Sequence, residues 1–187
     1  MELYHYGRKG MKWGQHIYGK ERIIKRKSKT NFEDHREIYK SLTKQSKRFL
    51  TGRAEKEEPP KTMFDNVLGD KDNVLGYKKD VYAQRLYKIG KTPVAVCDAW
   101  YMDYNKKHDL SISIMTNPNY ARKGYASAVI KDLIGSAVLD TKIKDIYWSA
   151  DVNNTASNNL AKKQGFKYIQ TQTYDNGVAM NMYKYKR

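Results

Sequence analysis

Between residues 110 and 137 the apolar residues change period, from two to about 3.6. Leu110, Ile112 and Ile114 alternate as in a half-buried strand. Ala126, Val129, Ile130, Leu133 and Ala137 recur at the spacing of one buried helix face. The loop Asn117-Pro118-Asn119 separates the two patterns. A strand, a loop and a helix in one short stretch commit the chain to an α+β architecture.

The flanking segments extend that reading. Residues 81–89 and 94–103 are predicted strands around the turn Gly90-Lys91, and residues 143–149 form another. Residues 156–163 are a predicted helix that Gly165 stops in a left-handed conformation. Residues 166–174 and 178–185 are strands joined by the hairpin turn Asp175-Asn176-Gly177. The order is three strands, helix, strand, helix, hairpin.

The N-terminal third differs in kind. The decapeptide from His5 to Gly14 mixes glycines, aromatics and cations, and four glycines in the first 19 residues oppose a regular helix. Residues 31–50 are predicted as one helix, capped by Asn31, with Glu33 and Asp34 in its first turn and Lys47 and Arg48 in its last. Its apolar stripe of Ile38, Leu42, Phe49 and Leu50 is too small for a separate domain. All seven glutamates lie at or before Glu58, and Glu57-Glu58-Pro59-Pro60 reads as a stiff polar linker. We therefore expect a basic tag at 1–30, a helical segment at 31–54, a linker at 55–62 and the main domain at 63–187. Asp65-Asn66-Val67-Leu68-Gly69 recurs as Asp72-Asn73-Val74-Leu75-Gly76, two copies too short to make a repeat protein.

Charge and composition narrow the function. Thirty-six Lys and Arg against 20 Asp and Glu give a net charge of +16, densest from Lys20 to Lys29. Such a run attracts nucleic acid or another acidic surface, or is only a solvated arm. One cysteine excludes a disulfide framework, and four histidines beside it leave no thiolate zinc module. No apolar run approaches the roughly 18 residues of a membrane span, and none follows the basic N-terminus as a secretory signal would require. A soluble chain without membrane association is expected.

Two segments carry chemistry. In Pro118-Asn119-Tyr120-Ala121-Arg122-Lys123-Gly124-Tyr125-Ala126, a strand ends and a helix begins near Lys123. Backbone N–H groups at a helix start point outward with partial positive charge and can hold a diphosphate. Gly124 permits close approach, Ala126 keeps the first turn thin, and Arg122 and Lys123 add charge. Alone, this pattern is also an ordinary basic turn. The second segment runs from Asn154 to Phe166. The Asn154 amide both donates and accepts, as an amide-bearing ligand arm requires, and it equally suits a helix N-cap.

Together these segments resemble the GNAT superfamily of acetyl-CoA-dependent N-acetyltransferases. Thr116-Asn117-Pro118-Asn119-Tyr120-Ala121-Arg122-Lys123-Gly124-Tyr125-Ala126 is similar to that family's phosphate loop, roughly V-x-P-x-Y-R-G-K-G-x-G/A. Asn154, Ala156, Ser157, Leu160, Ala161, Lys163, Gly165 and Phe166 match its second motif, N-x-A-S-x-x-L-A-x-K-x-G-F. The resemblance covers about residues 80–187. It implies a mixed, mainly antiparallel sheet with flanking helices, in which strands 109–115 and 143–149 lie side by side and splay into a V. It implies acetyl-CoA as cofactor, with pantetheine in that V, backbone N–H groups from Ala121 to Ala126 on the pyrophosphate, and contacts from Thr116, Asn154 and Ser157. It implies direct attack of an amine on the thioester, the acceptor being a protein or a small molecule.

The sequence departs from the family at three points. The loop's first position, usually Gln or Arg, is Ala121. The Tyr that serves many members as general acid is Ala161, so Tyr147 or Tyr168 is left for that role. The domain contains no Glu to act as base. Asp103 and Asp98, on the predicted central strand, are the leading replacements, followed by Asp151; each is equally a solvated strand-end charge. Cys97 reads as a buried strand residue.

A second resemblance lies at the N-terminus. His5-Tyr6-Gly7-Arg8-Lys9-Gly10-Met11-Lys12-Trp13-Gly14 is similar to an H-Y-G-x-K-G-M-K-W-G tag on proteins encoded by phages and prophages of Gram-positive bacteria. It implies a bacterial cytoplasmic or virion setting. Residues 1–30 would then dock on a phage structural protein or on nucleic acid. The departures also leave open a virion-associated assembly protein with a catalytically degenerate fold, and the basic half leaves open a nucleic-acid-binding protein.

Overall fold

The computed structural model describes residues 21–26, 32–56, 58, 81–102 and 107–186. The tag-like decapeptide, the Asp-Asn-Val-Leu-Gly duplication and Asp103 lie outside these. The described chain runs β1 (Glu21–Arg26), α1 (Phe32–Ser41), α2 (Lys44–Thr51), β2 (Val81–Ile89), β3 (Thr92–Tyr101), β4 (Asp109–Thr116), α3 (Tyr125–Leu139), β5 (Asp145–Asp151), α4 (Thr155–Lys163), β6 (Phe166–Thr173) and β7 (Ala179–Tyr185). The strands form one sheet in the order β1-β2-β3-β4-β5-β7-β6. Every pair is antiparallel except β4 with β5. This is the expected fold class.

The alternation along each strand sorts side chains between two faces. Ala95, Cys97, Ala99, Leu110 and Ile112 face a core completed by Val129, Ile130 and Leu133 of α3 and by Trp148 and Phe166. Val81, Leu86, Val96 and Met115 face the opposite side, against Ile38 and Tyr39 of α1. Ile38 is fully buried, a gain of about 1.5–3 kcal/mol over leaving it in water.

The N-terminal third departs from expectation. The basic stretch includes β1, which pairs with β2 from Glu21↔Ile89 to Arg26↔Gln84. The single helix expected at 31–50 is two. Thr43, extended at φ −65° and ψ 158°, ends the first and caps the second, its hydroxyl accepting from Ser46 N–H at 3.1 Å. A hydroxyl that can satisfy a free helix N–H favours a cap over a helix interior. Of their apolar stripe, Ile38 is buried on the sheet, and Leu42 and Leu50 are partly buried against the same cluster.

Polar anchors fix α1 in place. Asp34 pairs with Lys88 of β2 at 2.6 Å. His35 Nε2 lies 2.9 Å from Asp98 Oδ2, and Gln84 Nε2 donates to Asp98 Oδ1 at 2.6 Å. On the other face Arg85 reaches Asp132 and Ser136 of α3.

Candidate active site

The parallel pair β4–β5 is registered from Asp109↔Asp145 to Ile112↔Trp148 and no further. Beyond Ile112 and Trp148 each strand continues, to Thr116 and to Asp151, without bonding the other. The sheet is thereby split into a V whose backbone edges are free to bond a ligand lying between them. The resulting cleft has a volume of about 590 Å³. Its walls are Ser111 to Thr116 of β4, Trp148 to Ala150 of β5, the start of α4, and Leu42, Gln45, Ser46, Phe49 and Leu50 beside α2. Trp100 and Met180 complete it.

At the open end of β4 the chain makes a 3₁₀ turn, Pro118–Tyr120, before α3. Arg122 has φ +61°, and Gly124, at φ +86°, starts α3 with no side-chain cap. A left-handed arginine costs about 1–2 kcal/mol, so the turn holds its shape against a local preference. Uncapped first-turn N–H groups at the head of a 15-residue helix favour an anion. Lys123 Nζ sits over the Tyr120 ring at 5.4 Å. The Ala121 N–H donates to Pro118 O at 3.1 Å and is thus already engaged, unlike the expectation of a row starting at Ala121.

Thr116, Asn154 and Ser157 line the same cleft. Asn154 Oδ1 accepts from Ser157 N–H at 3.1 Å, so this residue is the N-cap of α4, with its amide nitrogen left over. Ser157 Oγ accepts from the Trp148 indole N–H at 3.1 Å. Asn158 goes unnoticed in the sequence. It is buried, donates to Asp151 O and Asn154 O, and accepts from Tyr183 O–H at 2.6 Å and Asn181 Nδ2 at 2.9 Å. It thereby fixes the head of α4 at the cleft. Gln164 Nε2 reaches Ser127 Oγ at 3.2 Å, joining the end of α4 to the first turn of α3.

The proposed acids and bases are scattered. Asp98 is 1% exposed beneath α1 and does not line the cleft, although Trp100 of the same strand and its register partner Ser113 do. Its carboxylate is held by His35 and Gln84 rather than presented to a ligand. Tyr168 is exposed on β6, its hydroxyl 2.9 Å from Thr171 Oγ1, outside the cleft lining. Asp151 accepts from Asn153 N–H at 2.8 Å, a turn contact. Tyr147 lies at the closed end of the V, its hydroxyl 3.5 Å from Asp145. Asp103 lies outside the described residues. Burial pushes the Cys97 thiol well up, so it is not a nucleophile. Among the described residues, no ionisable side chain lines the cleft.

A split parallel pair with an uncapped helix start beside it is an arrangement suited to an acyl-carrier cofactor. The sequence matches the acetyltransferase (GNAT) domain family over residues 28–167, and the chain belongs to that family. The match starts well before residue 80, as expected from α1 being built into the sheet's core. No curated protein matches the chain. Its fold is similar to that of the GNAT domain of S. lividans PAT, with TM-score 0.66 and 12% identity, covering 89% of this chain and 91% of that one. It is similar to smu.2055 from Streptococcus mutans UA159, with TM-score 0.64 and 17% identity over 88% and 98%. It is also similar to yncA, a putative acetyltransferase from Salmonella typhimurium solved with its cofactor acetyl-CoA, with TM-score 0.60 and 11% identity over 88% and 93%. The family uses acetyl-CoA, and the cleft suits it: free strand edges for an amide-bearing arm, and outward N–H groups for a diphosphate.

Proposed function

We propose that this chain transfers an acetyl group from acetyl-CoA directly to an amine. The observation that carries the reading is the loss of β4–β5 pairing after Ile112↔Trp148, next to the uncapped start of α3. Acetyl-CoA supplies an activated thioester. Residues Arg122 to Ala126 hold its pyrophosphate, Thr116 and the Asn154 amide nitrogen bind the pantetheine arm, and Ser157 shapes the wall behind it. Leu42 and α2 border the opposite side, where an amine would approach the acetyl carbon. The tag-like decapeptide supports a phage or prophage setting, with the residues ahead of β1 as a docking arm.

Thermal unfolding with and without acetyl-CoA tests this. Ligand at about 100 times its dissociation constant adds roughly 2.7 kcal/mol, a rise on the order of 5–10 °C for a chain of this size. Release of free thiol on adding an amine then establishes turnover. The neutral cleft and Ala161 favour a second reading, a protein that binds acetyl-CoA without turnover. A thermal rise with no thiol release from any amine selects it, and no rise in a folded sample rejects both.

A further inference from the structure

We infer that the acceptor is an α-amino group, or an amine of similarly weak basicity, carried beside an uncharged apolar group. The inference rests on the acetyl-transfer reading above and names the substrate class for that site.

An ammonium has no lone pair, so one proton must leave before attack. The groups that commonly take it are His, Asp, Glu and Tyr. None of these lines the cleft among the described residues. The nearby ionisable groups are engaged elsewhere: Asp98 with His35 and Gln84, Asp145 with Lys184 at 2.8 Å, Asp151 with Asn153 N–H. The polar lining is hydroxyl and amide, as at Ser111, Ser113 and Ser149. These groups hydrogen-bond but are not bases near neutral pH.

With no such base among the described lining residues, the acceptor would have to arrive neutral. An α-amino group has an ordinary pKa of about 7.7–8.0 and a lysine amine about 10.4. Near pH 7.4 roughly a quarter of the first is neutral, against about one part in a thousand of the second. The stronger intrinsic nucleophilicity of the lysine amine offsets part of that difference. Leu42, Phe49, Leu50, Trp100 and Met180 make the approach apolar, which further disfavours the ammonium form and suits an uncharged neighbouring group.

The step balances without an enzyme acid or base. The ammonium releases one proton to water. The amine nitrogen then bonds to the acetyl carbon, the carbon–sulfur bond breaks, and sulfur leaves with its electron pair. A second proton leaves nitrogen as the amide forms, and the thiolate takes up one from solvent. A thiol's ordinary pKa of about 8.5 lets it leave unprotonated near neutral pH.

The experiment uses the full chain with acetyl-CoA and two matched acceptors, alanyl-phenylalanine amide and Nα-acetyl-lysine amide, read by thiol release. At pH 7.4, kcat/KM for the alanyl peptide is expected to exceed that for the lysine analogue by about tenfold or more. Log kcat/KM should rise with unit slope and level off at the acceptor's own pKa, moving down with a less basic amine such as 2,2,2-trifluoroethylamine. As a readout apart from turnover, the alanyl peptide should add to the thermal shift of the chain saturated with CoA, and the lysine analogue should not. A break at one pH for every acceptor means an enzyme base and overturns the inference, as does preference for the lysine analogue. If acetyl-CoA raises the unfolding temperature but no α-amine reacts, this inference fails while the cofactor site stands. If acetyl-CoA gives no rise, the reading beneath it fails.

Discussion

His35 Nε2 stands 2.9 Å from Asp98 Oδ2, with both side chains 1% exposed, and so ties α1 to strand β3 across 63 positions of sequence. α1 leads directly into the cleft wall at Leu42. The contact therefore positions one side of the site without touching a ligand.

Asp98→Ala should leave the His35 ring and the Gln84 amide without their buried acceptor. A loss of about 2–5 kcal/mol is expected, seen as a lower urea midpoint. Asp98→Asn, which keeps an acceptor oxygen, should lose less. Its pH profile of kcat/KM should keep the wild-type shape. Disappearance of the profile's acidic limb would make Asp98 the base after all.

Gly124 separates conformation from charge. Its φ is +86°, and a Cβ there would meet nothing within 4 Å. Gly124→Ala should cost about 1–2 kcal/mol of stability from backbone strain alone. Gly124→Glu should cost a similar amount and also abolish the thermal shift by acetyl-CoA, because its carboxylate faces the phosphates. Retention of the shift in Gly124→Glu would remove the phosphate assignment.

Ser157→Ala orphans the indole N–H of Trp148, a side chain only 2% exposed. A stability loss of about 1–3 kcal/mol is expected from chemical denaturation. Acetyl-CoA affinity should fall less than tenfold, since the hydroxyl accepts from the cleft wall and serves the wall rather than the ligand.

Asn176 at the β6–β7 turn donates to Gly52 O at 3.0 Å, holding the hairpin tip to the end of α2 at the cleft's rim. The contact is exposed, so Asn176→Ala should change stability by no more than about 0.5–1 kcal/mol. A rise in acceptor KM with little change in kcat is expected, the signature of lost positioning rather than lost chemistry. Steady-state kinetics at saturating acetyl-CoA read it.

Tyr82 donates to Asp140 Oδ2 at 3.2 Å, and burial followed by that carboxylate pushes its phenol up to about 12. The folded state thus holds this proton more tightly than the unfolded chain does. The resulting stability is fully present below about pH 10 and is lost as pH rises through about 12. Ultraviolet titration should show a late-ionising tyrosine that Tyr82→Phe removes. The variant should also lose stability less steeply between pH 10 and 12.

The elements from β2 onward were legible because each carries its own short-range signal. Leu110, Ile112 and Ile114 alternate, the α3 stripe recurs at 3.6, and Gly165 and Gly177 take the left-handed turns their positions require, at φ +90° and +79°. The local structure of the two segments proposed to hold the cofactor was legible for the same reason, since a strand end, a turn and a helix start are contiguous in sequence. The N-terminal third was less legible. Nothing local distinguishes the β1 segment from a solvated basic arm, because an edge strand owes its existence to backbone bonds with β2, about 60 residues away. Thr43 reads as a helix residue until its hydroxyl is seen capping Ser46.

By itself, then, the sequence determined the α+β class, the order of elements, and the chemistry on offer at Arg122 to Ala126 and at Asn154 and Ser157. Only the tertiary structure decided what that chemistry faces. Cys97 and Asp98 point to opposite faces of β3, and sequence cannot say which face lies on α3 and which beneath α1. Asn158 is one more polar helix residue until Asp151, Tyr183 and Asn181 converge on it. The neutrality of the cleft has the same origin. It is a property of which side chains are left over after long-range pairing has claimed His35, Asp98, Asp145 and Lys184, and that pairing exists only in three dimensions.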